Sequence, residues 1–181
     1  AETTASAAPD GYTLFMGTVS SLATNVSLEK LRYDPLKDFA PIVLVATQDL
    51  VLIVSSATSA STVREIVQLA TSQPDRFSYS SAGRGTGGHL SGELFSQLSG
   101  VRMLHVPYKG VAAAAHDVIG GQVTMTFASL ASAHPLVDSK KVKPIAVTGN
   151  RRAPSFPDVP TMEESGIKGY ESSTWYALVA P

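Results

Sequence analysis

The chain has 181 residues and a mass of 19.0 kDa, room for one ordinary domain or two small lobes and too little for a large multidomain assembly. Hydrophobic residues make up 44%, charged residues 16%, and the formal net charge is −1, which leaves no basic footprint for nucleic acid or for an anionic membrane. No apolar run reaches the ~18 residues of a membrane span, and the absence of Cys removes disulfides, thiolate metal sites and cysteine nucleophiles.

The N-terminal AETTASAAPDG has no basic segment followed by an apolar stretch, so no signal peptide is read in it. Short β-branched or aromatic runs then recur as expected strands: Tyr12–Met16, Ile42–Ala46, Leu50–Val54, Phe77–Ser80, Met103–Val106, Val123–Phe127 and Lys143–Thr148. Several are continuously apolar, the pattern of strands buried on both faces in a parallel sheet. Helix signals lie between them. Thr62 to Glu65 fits a capping box, with Val63, Ile66, Val67 and Ala70 on one face behind it. Leu90, Leu94 and Leu98 recur every four residues before Gly100, a plausible helix stop. Ala112–Ile119 is a strong helix former ending at Gly120. Arg151–Pro160 carries three prolines and reads as an irregular surface loop, and Thr161 to Glu164 fits a second capping box stopped by Gly166. Alternation of β and α signals makes this an α/β chain.

The most informative segment is Ser81-Ala82-Gly83-Arg84-Gly85-Thr86-Gly87-Gly88-His89. It follows a strand and opens a helix. Glycines admit positive φ and close approach, and a helix N-terminus offers free N–H groups and partial positive charge. A carboxylate or similar small anion fits best, with Ser81 and Thr86 as hydroxyl donors. Gly83, Gly85 and Gly88 also satisfy G-x-G-x-x-G, the dinucleotide fingerprint. The acid that should follow about 20 residues later for the ribose is missing, since none occurs between Glu93 and Asp117. The remaining alternative for this turn is a glycine-rich connection with no ligand.

Other candidates are weaker. His89, on the first turn after the glycines, is read as near a ligand, against a plain helix residue. His105 reads as a core histidine within its strand. The four histidines lack zinc spacing, so no metal is expected. No G-x-S-x-G elbow anchors a hydrolase triad. Asp117 is expected to point away from its neighbour His116. Tyr108 and Lys109 follow a strand, and Lys109 reads equally as a charge for an anion and as a solvated turn residue. Ser129 and Ser132 follow another strand, at the carboxyl end where open α/β sheets bind ligands. Trp175 and Tyr176 read as core packing or as aromatic cleft walls.

Taken in order, AAPDGYTLFMGT, LRYDPLKDFAPIVLVA, SSAGRGTGGHLSGELF, HVPYKG, the D-x-x-G-G-Q-V run at Asp117–Val123, IAVTGNRRAPSFPDVPTMEESG and GYESSTWYALVAP resemble the Bug-type receptors. These are the periplasmic solute-binding proteins of tripartite tricarboxylate transporters (TctC-like), and the resemblance covers essentially the whole chain. It implies a type II periplasmic-binding-protein fold, with two α/β lobes closing on a small carboxylate in the cleft between them. It implies no enzyme activity, no cofactor, no metal and no nucleic acid. The partners implied are a small carboxylate and the membrane subunits of the transporter, and the implied location is the periplasm.

The family usually begins with a strand and a P-F-x-A-G-G-x-x-D loop, absent here, and continues past the point where this chain ends at Pro181. Ala128 stands where many members have Asp, Val111 replaces a common Gly, and Ala112–Ala115 lacks the usual Pro. The expectation is therefore mainly a second lobe with a partial first lobe. Residues 1–47 are the partial first lobe and first crossing strand, 48–170 the second lobe, and 171–181 the return strand. Exposed strand edges in the incomplete lobe invite homo-oligomerisation, and the chain alone is expected to bind ligand weakly. The expected ligand contacts are Thr18 and Ser20 from the first lobe, with Ser81, Ala82, Gly83, Gly85, Thr86, His89, Tyr108 and Ser129 from the second. The rival functions are a dinucleotide-binding oxidoreductase domain using the glycine turn, and a ligand-free interaction domain.

Overall fold

The structure, a computed structural model, describes residues 1–73 and 77–181. The chain divides into unit 1 (Ala1–Gln48 with Thr174–Pro181) and unit 2 (Asp49–Ser173). Unit 1 opens with the short helix α1 (Glu2–Ala5) and strand β1 (Phe15–Thr18). A π-helical turn over Ser20–Thr24 runs into the short helix α2 (Asn25–Leu28). β1 pairs antiparallel with β7 (Ser173–Ala180), Phe15 opposite Val179 and Thr18 opposite Tyr176. Phe39 centres a small aromatic cluster, 5.9 Å from Phe15 and 5.7 Å from Tyr33, ring to ring.

β2 (Ala40–Ser55) is one strand of 16 residues. The expected break between Ile42–Ala46 and Leu50–Val54 does not occur, because Thr47, Gln48 and Asp49 contain neither Gly nor Pro and continue the extended backbone. Its two halves differ in burial. Ile42, Val43, Leu44 and Val45 are 50–59% exposed, whereas Leu50 to Val54 are at most 4% exposed. The first expected strand is also displaced: Tyr12 and Leu14 lie outside β1 and are exposed.

Within unit 2, β2 pairs antiparallel with β5 (Met125–Ser129) and with β6 (Val142–Val147). β3 (Ser78–Ser81) runs parallel to β5 and to β4 (Leu104–Pro107). The order is β6-β2-β5-β3-β4. The sheet is thus mixed, not the parallel sheet expected from the apolar runs. Burial on both faces is what those runs encode, and an antiparallel central strand satisfies it equally. Leu50, Leu52 and Val54 enter one apolar cluster, with Ile66, Tyr79, Phe95, Phe127 and Tyr170. Val51 and Ile53 enter the other, with Ala133, Val147 and Phe156. That is the period of two that sends successive side chains to opposite faces.

Helix α3 (Val63–Ser72) starts in the expected capping box: Thr62 Oγ1 accepts the Glu65 N–H at 3.2 Å, and Glu65 Oε2 accepts the Thr62 N–H at 3.1 Å. α4 (Gly87–Ser99) ends at Gly100, whose φ of 73° is left-handed. The face it buries is Ser91, Gly92 and Phe95; of the leucine stripe, Leu94 packs partly buried against the core and Leu98 is 41% exposed. α5 (Val111–Ile119) stops at Gly120. α6 (Leu130–Asp138), which contains Pro135, was not among the expected helices. Thr161 and Glu164 do exchange capping-box bonds, at 2.9 and 3.0 Å, but the chain makes only a turn before Gly166. The Arg151–Pro160 loop is no simple surface loop, since Ala153, Phe156 and Val159 are buried in the second cluster.

Candidate functional site

Because β5, β3 and β4 are parallel, their carboxyl ends at Ser129, Ser81 and Pro107 emerge on one edge of the unit 2 sheet. That edge is where open α/β sheets meet ligands. The glycine turn leaves β3 there. Gly83 has φ of 139° and Gly85 of 74°, conformations that an L side chain resists. Gly88 serves a different purpose. A Cβ there would lie 2.9 Å from the Phe127 carbonyl oxygen, so glycine lets the start of α4 sit close on β5.

Side chains fold the turn on itself. Ser81 Oγ accepts the Gly83 N–H at 3.2 Å and lies 2.7 Å from His105 Nε2. Thr86 Oγ1 donates to the Gly83 carbonyl at 2.7 Å. Thr86 occupies the N-cap position of α4, yet its side chain makes no capping bond to the helix. The first-turn N–H groups have no acceptor within an α-helix, and no side-chain cap covers them here. The turn therefore presents backbone donors at the positive end of the helix dipole.

Beneath it, aromatic rings stack: His89 on His105 at 4.1 Å and His105 on Tyr79 at 4.8 Å between centroids. Tyr79 OH donates to Glu93 Oε1 at 2.5 Å. Burial, with the Glu93 carboxylate accepting its proton, pushes the Tyr79 phenol up. Burial and the neighbouring His89 push His105 down to about 4, and burial also lowers His89. His105 has a partner in Ser81 but is only half-buried, so it is not the core histidine expected. Tyr79 and Glu93 were not singled out; the residues join only when helix α4 lies over β3.

The expected contacts are placed as follows. Ser81, Ala82, Gly83, Gly85, Thr86 and His89 lie in the turn and the first turn of α4. Tyr108 joins them: its N–H donates to the Ser81 carbonyl at 2.9 Å, and its hydroxyl donates to Asp117 Oδ2 at 2.6 Å. That bond raises the phenol and lowers the carboxyl. Asp117 does not avoid its neighbour as expected, because His116 Nδ1 reaches its Oδ1 at 3.3 Å. Ser129 caps α6, accepting the Ser132 N–H at 3.1 Å. Thr18 and Ser20 lie in unit 1, where the Thr18 N–H donates to Ser21 Oγ at 2.9 Å. Among the described residues, no group of three or more His, Cys, Asp or Glu is placed to hold a metal, and no helix is long and apolar enough to cross a membrane.

A strand, a glycine turn at its carboxyl end and a helix behind it make up the α/β arrangement at which open sheets meet ligands. The family model of TctC, the tripartite tricarboxylate transporter family receptor, matches residues 1–181, and the chain belongs to that family. A relative from Pseudomonas sp. (strain P51), the UPF0065 protein in the tcbD-tcbE intergenic region, is 33% identical over 178 residues, 98% of this chain and 53% of the relative. Among solved structures, R. palustris Rpa4515 with adipate matches at TM-score 0.92 and 34% identity, over 99% of this chain and 60% of that one. MatC from Rhodopseudomonas palustris with bound malate matches at 0.90 and 31%, over 99% and 62%. The periplasmic binding protein BugD matches at 0.86 and 34%, over 99% and 60%. The fold is accordingly that of periplasmic binding proteins, and the chain spans about half the length of the curated relatives it matches.

Proposed function

We propose that this chain captures a small organic carboxylate, as part of a periplasmic receptor that hands its ligand to the membrane subunits of a tripartite tricarboxylate transporter. The observation that carries the reading is the uncapped N-terminus of α4 at the carboxyl edge of β3, where Thr86 turns its hydroxyl to Gly83 and away from the helix. Hydrogen bonds from such N–H groups to a carboxylate are charge-assisted, about 1.5–3 kcal/mol each. No surplus of Lys and Arg is needed to hold the anion, in keeping with the net charge of −1. Adipate and malate in two similar structures are both dicarboxylates, which supports that ligand class. The proposed contacts within unit 2 are Ser81, Ala82, Gly83, Gly85, Thr86, His89, Tyr108 and Ser129.

The reading is one of capture without conversion. The dinucleotide alternative is disfavoured because β4 ends at Val106-Pro107, followed by Tyr108 and Lys109, with no acid to hold a ribose. A thermal-shift screen tests the choice. Millimolar adipate or malate should raise the melting temperature, since a ligand at 100 times its Kd adds about 2.7 kcal/mol, and NAD or NADP should not. A shift with NAD or NADP and none with any carboxylate would overturn the proposal.

A further inference from the structure

The Gly85 N–H points into the protein, not out to a ligand. It donates to Nδ1 of His89 at 3.1 Å. An imidazole that accepts at Nδ1 carries its single proton on Nε2, here facing Glu93 Oε1 at 3.9 Å. A second proton has only Nδ1 to go to. Once Nδ1 carries a hydrogen it cannot accept another, and the Gly85 N–H must leave it.

We propose that His89 is a proton-operated latch on the glycine turn. Neutral, it holds the Gly85 N–H inside; on taking a proton it releases that donor and adds positive charge beside the place a carboxylate occupies. The proposal rests on the carboxylate reading above and adds to it that ligand capture is coupled to uptake of one proton. The turn has the freedom to respond, since Gly85 and Gly83 both sit at positive φ.

The groups facing His89 set the direction. On its own helix, Glu93 favours the charged ring. From the turn, Arg84 disfavours it. From β4, His105 stacks on it at 4.1 Å, and from β3 the Tyr79 ring lies 6.5 Å away with its hydroxyl committed to Glu93. Ser81 is occupied with His105. With burial the largest influence, the ring stays neutral below its ordinary value of 6.5 in the empty protein. An incoming carboxylate is the opposite charge that reverses this. Affinity should therefore rise as pH falls below about 6.5, by up to about tenfold per pH unit while one proton is taken up with each ligand.

The test has two readouts on the full chain. The first needs no ligand: the His89 ring nitrogens and the Gly85 amide are followed by NMR from pH 7.5 to 4.5. The latch requires Nε2–H as the neutral tautomer and a Gly85 amide shift that titrates with the ring. The second is the Kd for adipate by calorimetry over the same range, for the parent and for His89→Gln. The variant keeps an acceptor and cannot take the proton, so its pH dependence should vanish. A Gly85 amide indifferent to His89, or an adipate affinity that does not strengthen in acid, overturns the latch. If the amide titrates with the ring but adipate, malate and citrate bind at no pH, the carboxylate reading fails, and with it the claim of coupled capture. Adipate binding at every pH with a silent Gly85 amide removes the latch and leaves the carboxylate reading standing.

Discussion

Replacing Gly92 with alanine would set a methyl group inside the Tyr79 ring. A Cβ at Gly92 lies 2.5 Å from Cζ and 2.6 Å from Cδ2 of Tyr79, where carbon atoms pack at roughly 3.5–4.0 Å. The ring has little room to withdraw. It is fully buried, its hydroxyl is fixed by Glu93 at 2.5 Å, and its far side stacks on His105. Helix α4 must then back away from β3 by about 1 Å. Overpacking of this kind costs about 1–3 kcal/mol, against about 1 kcal/mol gained from the better helix propensity of alanine. An overlap this deep belongs at the upper end, so Gly92→Ala should lose about 2 kcal/mol. The melting temperature should fall by about 4–8 °C. Urea unfolding measures the loss, and the double variant with Tyr79→Leu identifies its source, because removing the ring should restore most of it. If Gly92→Ala equals or exceeds the parent in stability, or if the two changes simply add, the close approach of α4 to β3 is wrong. The same displacement moves the N-terminus of α4, so adipate affinity should fall with stability in Gly92→Ala.

Further expectations follow from other contacts. Thr62→Ala removes the acceptor for the Glu65 N–H and should cost about 1 kcal/mol in urea unfolding. Ile66→Ala, at a fully buried position, should cost about 2–5 kcal/mol. Thr86→Val keeps the shape but deletes the 2.7 Å bond to Gly83. The turn should loosen and the adipate Kd rise between about two- and tenfold, for a net hydrogen bond of about 0.5–1.5 kcal/mol. His105 is held neutral in the fold, at about 4 against an ordinary 6.5. Below 6.5 the unfolded chain binds the extra proton, so the contribution is complete above that pH and is lost as pH falls toward 4. The urea midpoint should drop over this window in the parent and less steeply in His105→Gln. Equal slopes would refute it.

Local chemistry was the legible part. The Thr62 box, the left-handed Gly100 and the strand–glycine turn–helix at Ser81–His89 each rest on bonds between near neighbours, and each forms as expected. What was hidden depends on residues far apart. Leu90, Leu94 and Leu98 are the better apolar stripe, but the adjacent Tyr79 ring needs the flat surface of Gly92, and so rotates α4 onto Ser91 and Phe95. α6 carried no helix signal that was read, and it forms in spite of Pro135, which as its sixth residue can give no N–H to the Ala131 carbonyl. The bonds of the Ser129 and Tyr108 hydroxyls to Ser132 and Asp117 were not read from the sequence. The Arg151–Pro160 loop read as a surface loop because of its three prolines, yet Ala153, Phe156 and Val159 fill the face of the sheet opposite α4.

The bonds that seat α4 also set a timetable for synthesis. The Tyr170 hydroxyl donates to the Ser91 carbonyl at 2.8 Å across 79 residues, and Ser172 Oγ meets Ser91 Oγ at 2.8 Å. At the ribosome's pace of roughly 5–20 residues per second, those partners emerge roughly 4–16 s after the helix they hold. Meanwhile the Phe95 side of α4 lacks its lid, and the edge that presents the glycine turn has no fixed position. A nascent chain halted before Tyr170 should therefore be far more open to protease within α4 than one released past Ser172. Assembly of the edge waits for Tyr170 and Ser172, paced by elongation more than by the helix itself.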